Sequence, residues 1–275
     1  MVDNSSLSSQ YVRVNDLNVR YRRAGRGHPL LLLHGTTSSL EHFDRAAASL
    51  ERSFDVIRPD LPGFGLTGPR PDRDYRVCTY ASTVAEFMQQ LHVPRYAVAG
   101  NSLGGNIAWT LALDYPDRLF ALVLVNATGY PEKTLPAGMR LARNPLARPL
   151  MRAGMPRRLV ERGLRQSVAP NSTIVDDAMV DRVHRYWNAS GNRSAFVDFV
   201  NTNQPDRSAE IPEIGVPTLV LRSAGVDAQH FARDIPDVRE AVHPSAGHLL
   251  PEEEPIWFAE KVATFLNTLE AQELT

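Results

Sequence analysis

Apolar residues along this chain fall into short uninterrupted runs, each closed by a turn that contains glycine or proline. An uninterrupted run differs from the alternation of a half-exposed strand and is typical of a strand covered on both faces of a parallel sheet. The pattern therefore predicts a buried, mostly parallel sheet. Its predicted strands are residues 30–33, 55–58, 96–99, 120–125, 216–221 and 238–242.

Two other spacings fill the gaps between these runs. Polar and apolar residues alternate over 11–14 and 19–22 around Asn15-Asp16, which predicts an edge hairpin. Apolar residues at helical spacing predict helices over 43–50 and 80–91. After Ser102 the same spacing continues to a helix that ends at Pro116, so this part of the chain has the order strand, helix, strand.

The pattern changes after Val125. Residues 131–212 are rich in arginine and in short helix-like pieces that prolines divide, and the run at 216–221 then resumes the sheet. This organisation predicts a core formed by residues 1–130 and 213–275, with a helical insertion at 131–212. The arginines follow no single helical stripe, and we interpret them as a solvated face rather than a clamp for an anionic substrate.

The turn after the run at 96–99 reads Gly100-Asn101-Ser102-Leu103-Gly104-Gly105. Glycine on both sides of a serine permits a sharp strand-to-helix turn, because a side chain there would clash with neighbouring backbone. The serine hydroxyl then projects at the start of a helix, where free N–H groups favour a developing negative charge. We interpret Ser102 as a nucleophile.

A serine hydroxyl at neutral pH needs a base, which in proteins is usually a histidine oriented by a carboxylate. His248 follows the last predicted strand within Ser245-Ala246-Gly247-His248 and is the preferred base. His243 is a weaker alternative, since it falls at the end of that strand. Cys78 has no catalytic context and is interpreted as a structural thiol.

Four motifs in this order resemble the α/β hydrolases: His34-Gly35, Asp60-Leu61-Pro62-Gly63-Phe64-Gly65, the serine turn and Ala246-Gly247-His248. The resemblance extends over about residues 19–269. It implies an eight-stranded, mostly parallel sheet with helices on both faces and a cap formed by the insertion. It also implies an oxyanion hole made by the backbone N–H groups of Thr36 and Leu103, with structural roles for His34 and Asp60.

The third catalytic residue departs from that family's pattern. The acid is expected just beyond the strand that ends near Leu221, where Asp227 is the first carboxylate, so Asp227 is our candidate. The loop is short, because only 21 positions separate Asp227 from His248. A second location used in the family holds Asn126 here, which carries no charge. A carboxylate from elsewhere or a Ser–His dyad remains open.

The resemblance favours a cofactor-independent hydrolase of a small carboxylic ester or lactone that acts through an acyl-enzyme. Serine at position 102 argues against relatives that use aspartate there, such as epoxide hydrolases. One alternative is hydrolysis of carbon–carbon bonds in ring-cleavage diketones, although Leu249 replaces the tryptophan usual in those enzymes. Another is a non-hydrolytic, ligand-binding or cyclising relative. Tyr186, Trp187 and Phe196 could line a substrate pocket or only pack the insertion.

The composition limits the classes of binding partner that we expect. With 30 basic and 31 acidic side chains the net charge is −1, so we expect no nucleic acid and no membrane partner. The first ten residues are polar and resemble no signal peptide, and we expect a cytoplasmic protein. No phosphate loop and no cluster of metal ligands is visible in the sequence. We therefore expect no cofactor and no metal, and the sequence does not indicate an oligomeric state.

Overall fold

The computed structural model describes residues 9–131, 135–226 and 229–273. Eight strands form one sheet in the order β1-β2-β4-β3-β5-β6-β7-β8. The first two pairs in that order, β1-β2 and β2-β4, are antiparallel, and every later pair is parallel. The strands are β1 (Gln10–Val14), β2 (Leu17–Ala24), β3 (His28–Leu33), β4 (Phe54–Pro59), β5 (Tyr96–Asn101), β6 (Leu119–Val125), β7 (Thr218–Ser223) and β8 (Val238–His243).

Helices cover both faces of the sheet and fill the segment between β6 and β7. Short 3-10 turns at Leu40–Phe43, Pro116–Arg118 and Ser208–Glu213 complete the connections. The helices are α1 (Asp44–Leu50), α2 (Val77–Gln90), α3 (Leu103–Asp114), α4 (Ala137–Arg143), α5 (Arg148–Ala153), α6 (Arg157–Ser167), α7 (Asp177–Trp187), α8 (Asn192–Asn201), α9 (Phe231–Asp234), α10 (Leu250–Glu253) and α11 (Pro255–Glu273).

The strand β3 shows why its apolar run is uninterrupted. Leu31 and Leu33 belong to the hydrophobic cluster that α2 and α3 cover, whereas Leu30 and Leu32 belong to the cluster on the opposite face with α1 and α11. Successive side chains of a strand point to opposite faces, so a strand buried on both sides needs an apolar residue at every position. The prediction of an eight-stranded, mostly parallel α/β sheet with helices on both faces is therefore confirmed.

Element boundaries differ from the predictions by a few residues. The helix predicted at 80–91 begins at Val77, and the helix predicted from residue 43 begins as a 3-10 turn at Leu40. The strand predicted at 216–221 starts at Thr218, because Pro217 has no N–H to donate to a neighbouring strand. Within the described residues, none of these shifts moves a predicted site residue to another element.

We call residues 131–212 the insertion. Its described residues form helices α4 to α8, with α4 and α5 packed on α8 and with α6 packed on α7. The helix α8 reaches the core, where a Cβ atom added to Gly63 would lie 3.0 Å from the Ala195 Cβ. Across the described part of the chain, no helix is both long enough and apolar enough to cross a membrane.

Candidate active site

Ser102 stands between β5 and α3 with a strained backbone, at φ 56° and ψ −115°. A residue with a side chain rarely adopts this conformation, which costs on the order of 1–3 kcal/mol and persists only where its surroundings enforce it. The surroundings are the flanking glycines. A Cβ at Gly100 would lie 2.1 Å from the Gly104 carbonyl oxygen, and a Cβ at Gly104 would lie 2.1 Å from that of Leu33.

The turn after β3 lies against this serine. A Cβ on Gly35 would be only 3.2 Å from the Ser102 Cβ, so the loop that carries Thr36 runs directly beside the hydroxyl. Leu103 is the first residue of α3, and the first N–H groups of a helix have no acceptor within it. Of the two predicted oxyanion residues, Thr36 thus follows the glycine that lies against Ser102, and Leu103 directly follows Ser102.

His248 lies over the same turn. Its backbone carbonyl accepts a hydrogen bond from the Asn101 side-chain amide at 3.2 Å, and Asn101 directly precedes Ser102. The Asn101 amide also donates to the Val125 carbonyl at 3.0 Å. The structure therefore brings together the predicted nucleophile and the predicted base, although they are far apart in the sequence. No hydrogen bond joins the Ser102 hydroxyl to the His248 ring within the described residues.

Asn126 holds the histidine loop in place. Its backbone has a positive φ of 41° at the end of β6, a conformation that asparagine tolerates better than most residues. Its side-chain oxygen Oδ1 accepts from the Ser223 backbone amide at 2.9 Å, and its side-chain NH₂ group donates to the backbone carbonyls of Gly247 at 3.2 Å and His248 at 3.3 Å. Asn126 therefore occupies a family acid position as a structural clamp.

Two further side chains complete this clamp, and sequence reasoning missed both. The Ser223 hydroxyl donates to the Gly247 carbonyl at 2.7 Å. One carboxylate oxygen of Glu253 accepts from the Gly247 amide at 3.0 Å, and the other accepts from the Ala169 amide in the insertion at 2.9 Å. The position of Ser223 at the end of a strand was the available signal for its role, whereas nothing in the sequence indicates that Glu253 bonds to the insertion.

The His248 ring is in an environment that disfavours its charged form. Burial is the main cause, with a smaller contribution from the nearby His42, and together they lower the pKa of His248 to about 4. No carboxylate in the described part of the chain hydrogen-bonds this ring. Asp227, the predicted acid, lies outside the described residues, so its role stays a prediction.

A second histidine lies close to this site. The His42 side chain is fully buried, and its Nδ1 is 3.0 Å from a Glu252 carboxylate oxygen. The other carboxylate oxygen of Glu252 accepts from Arg182 on α7 at 2.5 Å. Glu252 thus connects the turn at Leu40–Phe43 to the insertion, four residues after His248.

Arg20, Glu41 and Asp60 form a buried charged network near His34. The carboxylate of Asp60 accepts from the backbone amides of Leu40 at 2.7 Å and Leu66 at 2.8 Å, and it pairs with Arg20 at 2.9 Å. Arg20 also pairs with Glu41, and this hydrogen-bonded pairing holds the pKa of Glu41 at about 2 despite its burial. Since the Asp60 carboxylate is fully buried and is bonded to two backbone amides and Arg20, the geometry supports its predicted structural role.

His34 and His243 also make structural hydrogen bonds. His34 donates from Nδ1 to the Gly35 carbonyl at 2.8 Å and accepts from the Leu61 amide at 2.9 Å. Complete burial lowers the pKa of His34 to about 4. His243 accepts at Nδ1 from the Ala246 amide at 3.0 Å, so this nitrogen is engaged in the loop that carries His248.

The three aromatic residues predicted to line a pocket, Tyr186, Trp187 and Phe196, share one crevice between the insertion and the core. The Trp187 and Phe196 rings are 4.9 Å apart, and the Tyr186 hydroxyl donates to Glu41 at 3.0 Å. The crevice has a volume of only about 10 Å³, barely enough for one water molecule. Its walls also include Thr37, Ser38, Gly63, Phe64, Gly65 and Asn192.

The site contains few groups that could hold a metal. Among the described residues, no three histidine, cysteine, aspartate or glutamate side chains are grouped as metal ligands would be. The chemistry that this arrangement offers is that of a strained serine, a histidine on the adjoining loop and the backbone amides at the start of a helix.

A parallel sheet with a strained serine after its fifth strand and a histidine after its eighth defines a class of protein. The chain belongs to the α/β hydrolase fold family, whose model matches residues 28–255. This membership confirms the family that the four motifs indicated.

Curated relatives match at moderate identity. A protein of Mycobacterium tuberculosis is 33% identical over 151 residues, which are 51% of this chain and 44% of that protein. The chain thus matches less than half the length of this relative. The 2-hydroxy-6-oxononadienedioate/2-hydroxy-6-oxononatrienedioate hydrolase of Burkholderia vietnamiensis is 29% identical over 243 residues, 80% of each chain.

Solved structures show the same fold. The structure of a thermophilic esterase from Thermogutta terrifontis superimposes with a TM-score of 0.80, at 23% identity, over 95% of this chain and 99% of that chain. At this identity the likeness shows the fold alone.

Proposed function

We propose that this protein is a serine hydrolase of a small carboxylic ester or lactone, with Ser102 as the nucleophile and His248 as the base. The observation that carries the proposal is the strained backbone of Ser102 at the start of α3, beneath the loop of His248. Such strain is retained only where it is enforced, and it is concentrated at functional sites.

In the proposed reaction, the neutral His248 ring takes the proton of the Ser102 hydroxyl as its oxygen attacks the substrate carbonyl. The new carbon–oxygen bond gives a tetrahedral intermediate, and the amides of Thr36 and Leu103 hydrogen-bond its negative oxygen. His248 then protonates the leaving alcohol. Water, deprotonated by the same histidine, releases the acid and restores the serine.

Asp227 is proposed as the acid that orients His248. It follows β7, as the family pattern requires, and the clamp formed by Asn126 and Ser223 draws the histidine loop toward the end of that strand. If Asp227 fails to reach the ring, Ser102 and His248 act as a dyad. The oxyanion donors and substrate binding still contribute to catalysis in that case.

The insertion is proposed as a cap over the substrate, with Tyr186, Trp187 and Phe196 as lining residues. These side chains come from α7 and α8 and face the loop that carries Thr37 and Ser38. The crevice between them is narrow, and Ser102 and His248 do not line it, so the proposal includes a movement of these aromatic side chains that admits the substrate to the serine. We also propose that the protein is cytoplasmic and that it needs no cofactor.

A second candidate is hydrolysis of a carbon–carbon bond in a ring-cleavage diketone. It is favoured by the relative from Burkholderia vietnamiensis, whose name describes that activity. The same nucleophile and base serve both reactions, and the substrate decides between them.

The experiment is the mass of the intact protein after incubation with a fluorophosphonate, with Ser102→Ala as the control. An activated serine gives a single adduct that is absent from the variant. Absence of an adduct on folded wild-type protein would contradict the proposal and favour a ligand-binding or cyclising relative.

A panel of short-chain esters, lactones and ring-cleavage diketones then separates the two candidates. Turnover of esters with no turnover of diketones supports the first, and the reverse result supports the second. Asp227→Asn tests the acid. If Asp227 is part of the triad, its substitution should lower the rate of hydrolysis far more than the matched surface substitution Asp16→Asn does.

A further inference from the structure

One short helix of the insertion turns its apolar side to solvent. Positions 146, 149, 150 and 153 follow the i, i+3, i+4, i+7 spacing of one helical face and hold leucine, proline, leucine and alanine. All four are exposed, Leu146 by 90% and Leu150 by 75%, whereas Met151 is buried against the hydrophobic core. We call these four residues the α5 outer face.

Leu146 lies in the turn at 145–147 that precedes α5. The Arg148 amide bonds to the Asn144 carbonyl and the Met151 amide bonds to the Ala147 carbonyl, so this turn leads directly into α5. Leu146 and Leu150 lie four residues apart across this junction, and both are exposed. Amphipathic helices in globular proteins normally bury such a face, and this one has no covering element in the described part of the chain.

The segment that carries this face is positively charged. Residues 137–160 contain six arginines and no acidic residue, although the whole chain has a net charge of −1. Carboxylates on α7 and α8 pair with two of these arginines, Arg152 and Arg157. Arg140 and Arg143 lie on α4, which packs against α5, and both are exposed and form no ion pair with any described residue. The net charge of the whole chain does not reveal this local excess of positive charge.

Exposed apolar side chains close to unpaired arginines fit an anionic lipid surface. Leucine side chains can enter the boundary between headgroups and acyl chains, while each nearby arginine gains by approaching lipid phosphate. A second copy of this chain is a poorer occupant, because two such faces would bring like charges together at the contact. Leu141 on α4, which packs against α5, is also exposed.

We propose that the α5 outer face docks on membranes that contain anionic phospholipids, with Leu146 and Leu150 inserted at the headgroup level and the exposed arginines facing the phosphates. The inference replaces the expectation of no membrane partner, which rested on the net charge of the whole chain. It is independent of the chemistry at Ser102, so Ser102→Ala should bind vesicles as the wild type does.

The test is co-sedimentation with phosphatidylglycerol vesicles and with phosphatidylcholine vesicles at low salt. Wild-type protein should bind the phosphatidylglycerol vesicles, bind the neutral ones far less, and dissociate as salt screens the arginines. The variant L146S/L150S should lose roughly tenfold or more in partition coefficient, because two apolar side chains no longer insert. The variant R140Q/R143Q should lose roughly tenfold through the charge alone.

Matched controls come from exposed residues elsewhere. The variant V242S/I256S removes two exposed apolar side chains outside the insertion, and R26Q/R52Q removes two exposed arginines, so both should bind as the wild type does. Since all the substituted side chains are at the surface, circular dichroism and melting temperature should be unchanged.

Absence of wild-type binding to phosphatidylglycerol vesicles would overturn the proposal, as would unchanged binding by L146S/L150S. Light scattering supplies the other decisive result. If wild-type protein is a dimer that L146S/L150S converts to a monomer, and neither binds vesicles, the α5 outer face contacts a second copy and not a membrane.

Discussion

The serine turn and the histidine loop meet at one site but are held in different ways. The turn at Ser102 is fixed by backbone that lies too close for side chains at Gly100 and Gly104. The loop of His248 is fixed by hydrogen bonds to side chains, above all Asn126, which is distant in sequence, and Glu253, which follows the loop. The serine turn depends on close contact between backbone segments, whereas the clamp depends on polar side chains.

This difference predicts how each half of the site responds to substitution. A change in the serine turn should disturb the fold itself, because backbone atoms of β3 must move. A change in the clamp should leave the fold intact and alter the position of the base. The following experiments test that contrast, from the largest expected effect to the smallest.

Gly104→Ala should destabilise the protein by more than about 3 kcal/mol, because the new Cβ would lie 2.1 Å from the Leu33 carbonyl oxygen and neither backbone segment can yield easily. Urea unfolding measures the change. Gly163→Ala in α6 is the matched control, since its Cβ meets no atom within 4 Å. There alanine should stabilise by about 0.5–1 kcal/mol through helix propensity.

Acid should destabilise the fold through protonation of the buried His34. The pKa of His34 is lowered to about 4 by burial, so between pH 6.5 and 4 the unfolded chain binds a proton that the folded chain does not. Stability therefore falls as the pH falls through this window, by up to about 3 kcal/mol from this group. Urea unfolding across that range should show the loss.

His34→Gln should flatten that pH dependence, because glutamine offers a donor and an acceptor but does not titrate. An equally steep loss in the variant would show that other groups cause it. His248→Gln is the comparison on the loop, where the pKa is also lowered to about 4 and the same sign applies.

Asn126→Ala should release the histidine loop. It removes the bonds to Ser223, Gly247 and His248 and places alanine at a positive φ, at a cost of about 2 kcal/mol. The rate of fluorophosphonate labelling at Ser102 should fall roughly tenfold or more as the base loses its position. Asn18→Ala, at an exposed position of β2, should change neither quantity.

The pH dependence of fluorophosphonate labelling tests the role of His248 as the base. With its pKa lowered to about 4, the ring is a neutral base across the range above that value. The labelling rate should therefore stay near its maximum at pH 5.5 and decline only toward pH 4. A decline centred at pH 6.5 or above would instead indicate a carboxylate that stabilises the charged ring, which is the effect expected of Asp227.

Arg182→Ala should have the smallest effect. The Arg182 pair with Glu252 is partly exposed, so its removal should cost about 1 kcal/mol or less. Arg185→Ala on the same helix is the control for helix propensity. A melting temperature that falls several degrees further for Arg182→Ala than for Arg185→Ala would show that the bridge to His42 carries more energy than an exposed pair.

The sequence predicts the serine turn well because its determinants are local. A strand, two glycines and a helix lie within about ten residues of Ser102, and their patterns are visible without the fold. The sheet is equally predictable, since burial on both faces demands the uninterrupted apolar runs.

The clamp was not predictable in the same way. Asn126 and Gly247 are 121 residues apart, and only the arrangement of β6, β7 and the histidine loop brings them together. Asparagine at this position was interpreted as a missing acid because its contacts were invisible. The α5 outer face was missed for a related reason, since apolar helical spacing does not reveal whether a face points inward or outward.

The double role of Glu253 limits how the insertion can be exchanged. The same carboxylate receives the amide of Gly247 beside the base and the amide of Ala169 in the insertion, and the His248 amide itself donates to the Ser167 carbonyl at 2.8 Å. A chimera that receives a foreign segment in place of residues 131–212 therefore also loses hydrogen bonds that hold the His248 loop in place. Substrate range in this protein should change through substitutions along α7 and α8 more readily than through the transplant of a whole module.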